Sequence, residues 1–207
     1  MARNFAEIAF TESVKAQQEK YGSRRSYARM EEQARGAELS FAEADFIAER
    51  DSFYLATVGE NGYPYVQFRG GPKGFLKALD QRTLAYADFR GNLQYISVGN
   101  LSHNDKAALI LMDYANRRRL KIYARIEIVE AKDAPELIAQ LQDPAYQARV
   151  ERAMVLRVEA FDWNCPQHIT QRFTVEEIKL INQPLHERFQ KLEAENAQLR
   201  ELLVSVS

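Results

Sequence analysis

Residues 120–129, LKIYARIEIV, constrain the fold more than any other stretch. Leu120, Ile122, Ala124, Ile126 and Ile128 alternate with Lys121, Tyr123, Arg125 and Glu127. A period of two puts the first set on one face of a β-strand and the second on the other, so the strand has one face to bury. Short runs of β-forming character precede it. Phe53–Val58 is aromatic and β-branched, and Tyr65–Arg69 follows with Val66 and Phe68 on one face and Gln67 and Arg69 on the other. Between them stands Gly59-Glu60-Asn61-Gly62, and Asn-Gly is a hairpin signal because both residues tolerate positive φ. Thr83–Phe89, Ala107–Asp113 and Met154–Phe161 read as further strands. Pro135–Gln142 reads as a short helix with Asp133 as its N-cap. Antiparallel strands at this spacing, crossed by one helix, predict a closed or partly closed barrel.

The flanks differ. Residues 1–50 carry helical spacing, as in Phe10, Val14 and Gln17 or Ala42, Phe46 and Ile47. Ser40 with Glu43 three residues on forms a capping-box pattern for a helix starting near Phe41. The Arg-rich segment from Tyr21 to Gly36 reads as a surface connection or irregular helix. At the other end Leu185, Phe189, Leu192, Asn196, Leu199, Leu203 and Val206 are spaced alternately by four and three. That is a coiled-coil seam, with Phe189, Asn196 and Leu203 at a and Leu192, Leu199 and Val206 at d. A lone asparagine at a favours a parallel two-stranded pairing. The alternative is one amphipathic helix folded back on its own barrel. The organisation expected is a helical segment over 1–50, a barrel over 51–175 and a C-terminal helix over 176–207.

Composition narrows the function classes. The net charge is −1, which argues against general nucleic-acid binding, since neutralising phosphates takes a basic surface. The one cysteine, Cys165, cannot form a disulfide within the chain and fits a reducing compartment, so the cytoplasm is expected. The first residues do not read as a signal peptide, and no eighteen apolar residues run together to span a membrane. The three histidines, His103, His168 and His186, lie far apart and show no metal-ligand spacing.

Three segments could carry chemistry. Arg69-Gly70-Gly71-Pro72-Lys73-Gly74, with Lys77 beyond, surrounds glycines with cations and suits an anion. It reads equally as a Gly/Pro turn with solvated cations. In Asp88-Phe89-Arg90-Gly91-Asn92, either Asp88 or Asn92 could hydrogen-bond a ligand, or both could cap turns. Asp162 to Arg172 is dense in polar and aromatic groups, and Trp163, Gln167 and Arg172 could recognise a planar heteroaromatic ring. The same density suits a satisfied corner of the fold. Cys165 and His168 could form a nucleophile pair, or Cys165 could be a buried inert thiol.

Taken in order, FYLATVGENGYPYVQFRGGPKGF, LAYADFRGN, SVGNL, LILMDY, RRRLKIYARIEIV and DWNCPQHITQRF resemble the pyridoxamine 5′-phosphate oxidase-like flavoproteins, and FTESVKAQQEKYGSR resembles the opening of a bacterial subgroup. The resemblance covers residues 10 to about 175. It implies a mainly β fold with flanking helices, an FMN-binding split β-barrel that works as a homodimer with FMN between subunits. It places Arg69 and Lys77 at the FMN phosphate, Asp88 to Asn92 in a turn that adds contacts, and Arg119 where a polar side chain meets the cofactor. Trp163 and Arg172 resemble residues that approach the ring from the partner subunit. A cation such as Arg172 near the flavin N1–O2 edge would stabilise the anionic reduced ring and raise its potential. Three departures stand out. A Gly-Gly-Pro insertion follows Arg69, and Asn92-Leu93 replaces a basic pair. Gln167 to Gln171 also lacks the Arg-x-His pair that binds the oxidase's substrate phosphate, which implies another small organic substrate. The readings are then an FMN-dependent oxidoreductase, a flavin-binding or sensing protein without turnover, or a barrel that has lost its cofactor.

Overall fold

The structure, a computed structural model, describes residues 4–33, 38–163 and 166–206. Four helices lead: α1 (Phe5–Ala9), α2 (Glu12–Lys20), α3 (Arg24–Gln33) and α4 (Phe41–Ala48). Seven strands follow: β1 (Ser52–Val58), β2 (Pro64–Gly70), β3 (Lys77–Asp80), β4 (Thr83–Phe89), β5 (Lys106–Asp113), β6 (Arg118–Glu130) and β7 (Val150–Trp163). Helix α5 (Ile96–His103) lies between β4 and β5, α6 (Pro135–Leu141) between β6 and β7, and α7 (Val175–Val206) ends the chain. No helix among the described residues is long and apolar enough to cross a membrane.

The strands form one antiparallel sheet in the order β2-β1-β5-β6-β7-β4-β3. The sheet rolls up. Phe53 of β1 meets Tyr86 of β4 with ring centroids 5.3 Å apart, although three strands separate β1 from β4 in the sheet order. The roll encloses a core in which Leu55, Leu109, Leu111, Leu120, Ile122, Leu84, Met154 and Leu156 are buried. Each such side chain contributes roughly 1.5–3 kcal/mol by leaving water. The edge strands β2 and β3 do not pair, so the barrel is split.

The strand alternation predicted for β6 is present, with Leu120, Ile122, Ala124 and Ile126 buried and Ile128 half-buried near the strand end. Strand β4 is buried on both faces, because α6 covers its outer side through Leu137, Ile138 and Leu141 against Ala85, Ala87, Ala153 and Val155. Strand β2 is the unexpected case. Val66 and Phe68 face out, 60% and 59% exposed, while Tyr65, Gln67 and Arg69 face in. Register puts Phe68 across from Tyr54, and Tyr54 across from Ile110. Together they make a continuous apolar outer face on β2, β1 and β5.

Several local expectations change. Asn61 does not take positive φ; Gly62 does (φ 82°), and the Asn61 Oδ1 accepts from the Tyr63 amide in a five-residue connection. Asp133 is not the cap of α6. It ends a 3-10 turn, and Ala134 holds the cap position ahead of Pro135, whose fixed φ suits a first helical turn. The polar segment after Tyr21 is a regular helix, α3, braced where Arg24 Nη2 meets Glu31 Oε2 at 2.7 Å.

Candidate functional site

A cavity of about 210 Å³ opens between β2, β4, the start of β7 and the N-terminus of α5. Its floor follows from strand alternation: the inward set of β2 is Tyr65, Gln67 and Arg69, and all three line it. Asp88 enters from the end of β4 at a register shift, and Arg152 stands directly across from it on β7. Arg69 Nη1 donates to Asp88 Oδ1 at 2.7 Å, and Arg152 Nη1 donates to Asp88 Oδ2 at 3.1 Å. Burial pushes the Asp88 carboxyl above its ordinary range, and the guanidiniums of Arg69 and Arg152 pull it back. The second nitrogen of Arg152 goes to Glu151 Oε2 at 3.2 Å. Arg69 makes one hydrogen bond among the described residues, out of the five donors a guanidinium carries. Its Nε is buried without a hydrogen-bond partner, while the Arg152 Nε, also without a hydrogen bond, faces Glu130 Oε1 at 3.6 Å.

Helix α5 adds donors. Its first residues, Ile96, Ser97 and Val98, line the cavity. The cap position belongs to Tyr95, which takes a left-handed conformation (φ 52°) and supplies no side-chain cap. The first amides of a helix have no intrahelical acceptor and carry the positive end of its dipole. A helix end with no side-chain cap, beside two arginines, offers donors to an anion, and Asp88 and Glu151 balance the arginines' charge in the same cavity. Ser97 Oγ donates to Gln67 Oε1 at 2.8 Å and fixes the helix against β2.

The expected site residues divide between places. Arg69, Asp88 and Asn92 meet at this cavity. Asn92 also caps its own turn, its Oδ1 accepting from the Gln94 amide. Lys77 lies elsewhere, donating from Nζ to the Gln140 carbonyl at 2.8 Å, between β3 and α6. Arg119 is half-buried on β6 across from Met112, with its Nε lacking a hydrogen-bond partner. Trp163 ends β7 and lines a second cavity of about 400 Å³ with Ala42, Asn116, Arg117, Arg118 and Pro166. Gln167 is exposed, and the Arg172 guanidinium sits 5.1 Å over the Tyr114 ring. Cys165 and Asn164 lie outside the described residues.

The glycine-rich turn is occupied by its own geometry. Gly71 donates to the Asp51 carbonyl and Gly74 to the Arg50 carbonyl, so these amides serve the chain itself. Gly74 takes φ 77°, and a side chain at Gly71 would strike the Phe75 ring at 2.7 Å. Lys73 pairs with Glu49. Sequence reading missed Arg152, Ser97 and Gln67 as site residues, and it quoted Ser97–Leu101 without reading a helix there. A signal for Arg152 existed, a charge directly ahead of the apolar run Ala153–Leu156. Helix α5 gave no signal, because its cap is a tyrosine.

Trp163 is held from an unexpected quarter. Its Nε1 donates to Glu43 Oε1 at 2.7 Å, and Phe46 meets the indole edge-on at 4.7 Å. The other Glu43 oxygen closes the capping box with Ser40. Burial alone would raise the Glu43 carboxyl, but hydrogen bonds from Ser40, Trp163 and the backbone outweigh it and hold it below the ordinary value. The Arg118 guanidinium lies 4.6 Å over the indole.

The family model described as pyridoxamine 5′-phosphate oxidase matches residues 40–164, the stretch from the Ser40 cap to just past Trp163. None of the curated proteins matches the chain. Among solved structures, a Lactobacillus delbrueckii protein described as a candidate pyridoxamine 5′-phosphate oxidase is similar at 23% identity and a TM-score of 0.47, over 61% of this chain and 94% of that one. An FMN-binding protein of Syntrophomonas wolfei is similar at 16% identity and 0.47, over 59% and 83%. A Clostridium acetobutylicum protein related to general stress protein 26 is similar at 18% identity and 0.43, over 65% and 92%. The sequence model carries the assignment, since it spans the barrel strands and both cavities' main residues: the chain belongs to the pyridoxamine 5′-phosphate oxidase family.

Proposed function

We propose that the chain binds FMN, with the phosphate in the Arg69–Asp88–Arg152 cavity, and acts as an oxidoreductase on a small organic molecule. One observation carries the reading. Arg69, whose buried Nε has no hydrogen-bond partner, the Arg152 guanidinium and the uncapped N-terminus of α5 converge on one small cavity. These donors fit a phosphate dianion. A volume of about 210 Å³ is below the usual range for a whole organic ligand, so the cavity suits the phosphate and its polyol tail, and the ring would lie beyond it. When bound, a flavin supplies the hydride or electron transfer. Arg69, Ser97 and the α5 amides would hold the phosphate; Asp88 keeps Arg69 aimed inward.

A homodimer is part of this reading. The apolar outer face of Tyr54, Val66, Phe68 and Ile110 is the surface a second copy would cover. Arg172, over Tyr114, is remote from the Arg69 cavity in the residues that line it. A second copy is therefore the means by which Arg172, Gln167 and Trp163 would serve the ring. The single cysteine suits a reducing compartment, and we assign the protein to the cytoplasm on that ground.

A second reading, flavin binding without turnover, has an observation in its favour. The acids lining the cavity, Asp88 and Glu151, are both tied to arginines and offer no free base. The test is mass spectrometry of the small molecule released on denaturation, then anaerobic photoreduction and mixing with oxygen, quinones or nicotinamide cofactors. Release of FMN with rapid reoxidation by one acceptor supports the enzyme. Release of FMN with slow reoxidation by all of them supports the binding protein. Protein that carries no flavin and takes up none overturns both.

A further inference from the structure

Helix α7 is 32 residues long and begins with a capping box of its own: the Thr174 amide donates to Glu177 Oε2, and the Glu177 amide to Thr174 Oγ1. From Gln183 to Leu202 every residue is exposed, including Leu185, Phe189, Leu192 and Leu199. The helix therefore does not lay its apolar stripe on its own barrel. An isolated helix of this kind is marginal in water, and its stability must come from packing the stripe against something.

We propose that α7 pairs with α7 of a second copy of this chain as a parallel, in-register, two-stranded coiled coil beginning after Pro184. The charge pattern chooses the occupant. With Phe189 and Asn196 at a and Leu185, Leu192 and Leu199 at d, the g positions are Arg188 and Glu195 and the e positions are Glu193 and Arg200. In a parallel pair each g residue faces the e residue five positions on in the other helix. Arg188 then meets Glu193 of the second copy, and Glu195 meets Arg200. Both contacts are attractive and both occur twice by symmetry. Asn196 meets its own counterpart, where two amides satisfy each other. An antiparallel pair would set a against d and leave each Asn196 amide opposite a leucine, unsatisfied in the seam. Pro184 falls at c, on the solvent side, where its missing amide and its ring stay clear of the partner. A parallel coiled coil has a twofold axis, so it can share one axis with a dimer of the barrels.

The test is single-cysteine cross-linking in the full chain, in a Cys165→Ser background, under mild oxidation. Leu192→Cys and Leu199→Cys at d should each give interchain disulfide in most of the protein, and Ala194→Cys at f should give at least tenfold less. Absence of cross-linking at both d positions, or equal cross-linking at f, overturns the proposal. An antiparallel pair or a helix without a partner gives the first of these results. A charge test separates the seam from barrel association. In the Leu199→Cys protein, Glu195→Arg should slow disulfide formation several-fold, and adding Arg200→Glu should restore it. Failure of the double swap to restore the rate overturns the in-register g-to-e pairing. None of these readouts depends on the cofactor.

Discussion

Arg69 on β2 donates to Asp88 on β4 across 2.7 Å, and so ties the strand at one edge of the sheet to the strand beside the opposite edge. One contact closes the barrel at this end and aims a cation into the cavity. The carboxylate's other oxygen takes Arg152 from β7, so three strands converge on Asp88. A buried carboxylate between two arginines is weak evidence for stability in itself. Its geometric effect is to hold both guanidiniums at the cavity that the first turn of α5 also lines.

Arg69→Ala should weaken FMN binding by roughly 1.5–3 kcal/mol, the range for a hydrogen bond to a charged group. Titration calorimetry at fixed salt measures it. Riboflavin, which lacks the phosphate, should lose much less. An unchanged FMN dissociation constant would remove Arg69 from the site.

Asp88→Asn should destabilise the protein by about 3–5 kcal/mol, because Arg69 loses its counter-charge and Arg152 keeps only Glu151 and Glu130. Added phosphate should recover part of the melting temperature, since an anion bound to the folded state stabilises it by mass action. A melting curve identical to the parent, with and without phosphate, would deny Asp88 its role.

Trp163 is the only tryptophan, so its fluorescence reports the Glu43 contact directly. The folded-state Glu43 value lies below the ordinary 4.5. Its stabilising contribution is therefore complete above that ordinary value and is lost as pH falls through the lowered one. Emission should stay constant from neutral pH down to about 4.5 and shift only below it. Glu43→Ala should give the shifted emission already at neutral pH. A transition centred near pH 6 would assign the change to another group.

The split between legible and illegible follows physical lines. Strand β6 was legible because one face is core and the other is wet. The capping box at Ser40 and Glu43 was legible because its chemistry is local. The inward turn of Arg69 was not, since β2 buries its polar side and exposes Val66 and Phe68, the reverse of the usual pattern. Arg152 and Ser97 reach the cavity through register and a crossing helix, from positions 83 and 28 residues beyond Arg69. Lys77 looked close to Arg69 in sequence, and the turn through Gly74 carries it away to α6.

Truncation after Gln183 removes the seam of α7 but leaves the apolar outer face of β2, β1 and β5. The truncated chain should remain a dimer by light scattering, because the sheet face is broad and apolar. A monomer would assign dimerisation to α7 alone.

The most direct measurement is a pair of calorimetric titrations of the cofactor-stripped protein, one with FMN and one with riboflavin. The account predicts one FMN per chain, bound at least tenfold more tightly than riboflavin, the ratio that about 1.4 kcal/mol of phosphate recognition gives. Equal affinity for the two ligands, or no heat with either, would contradict it.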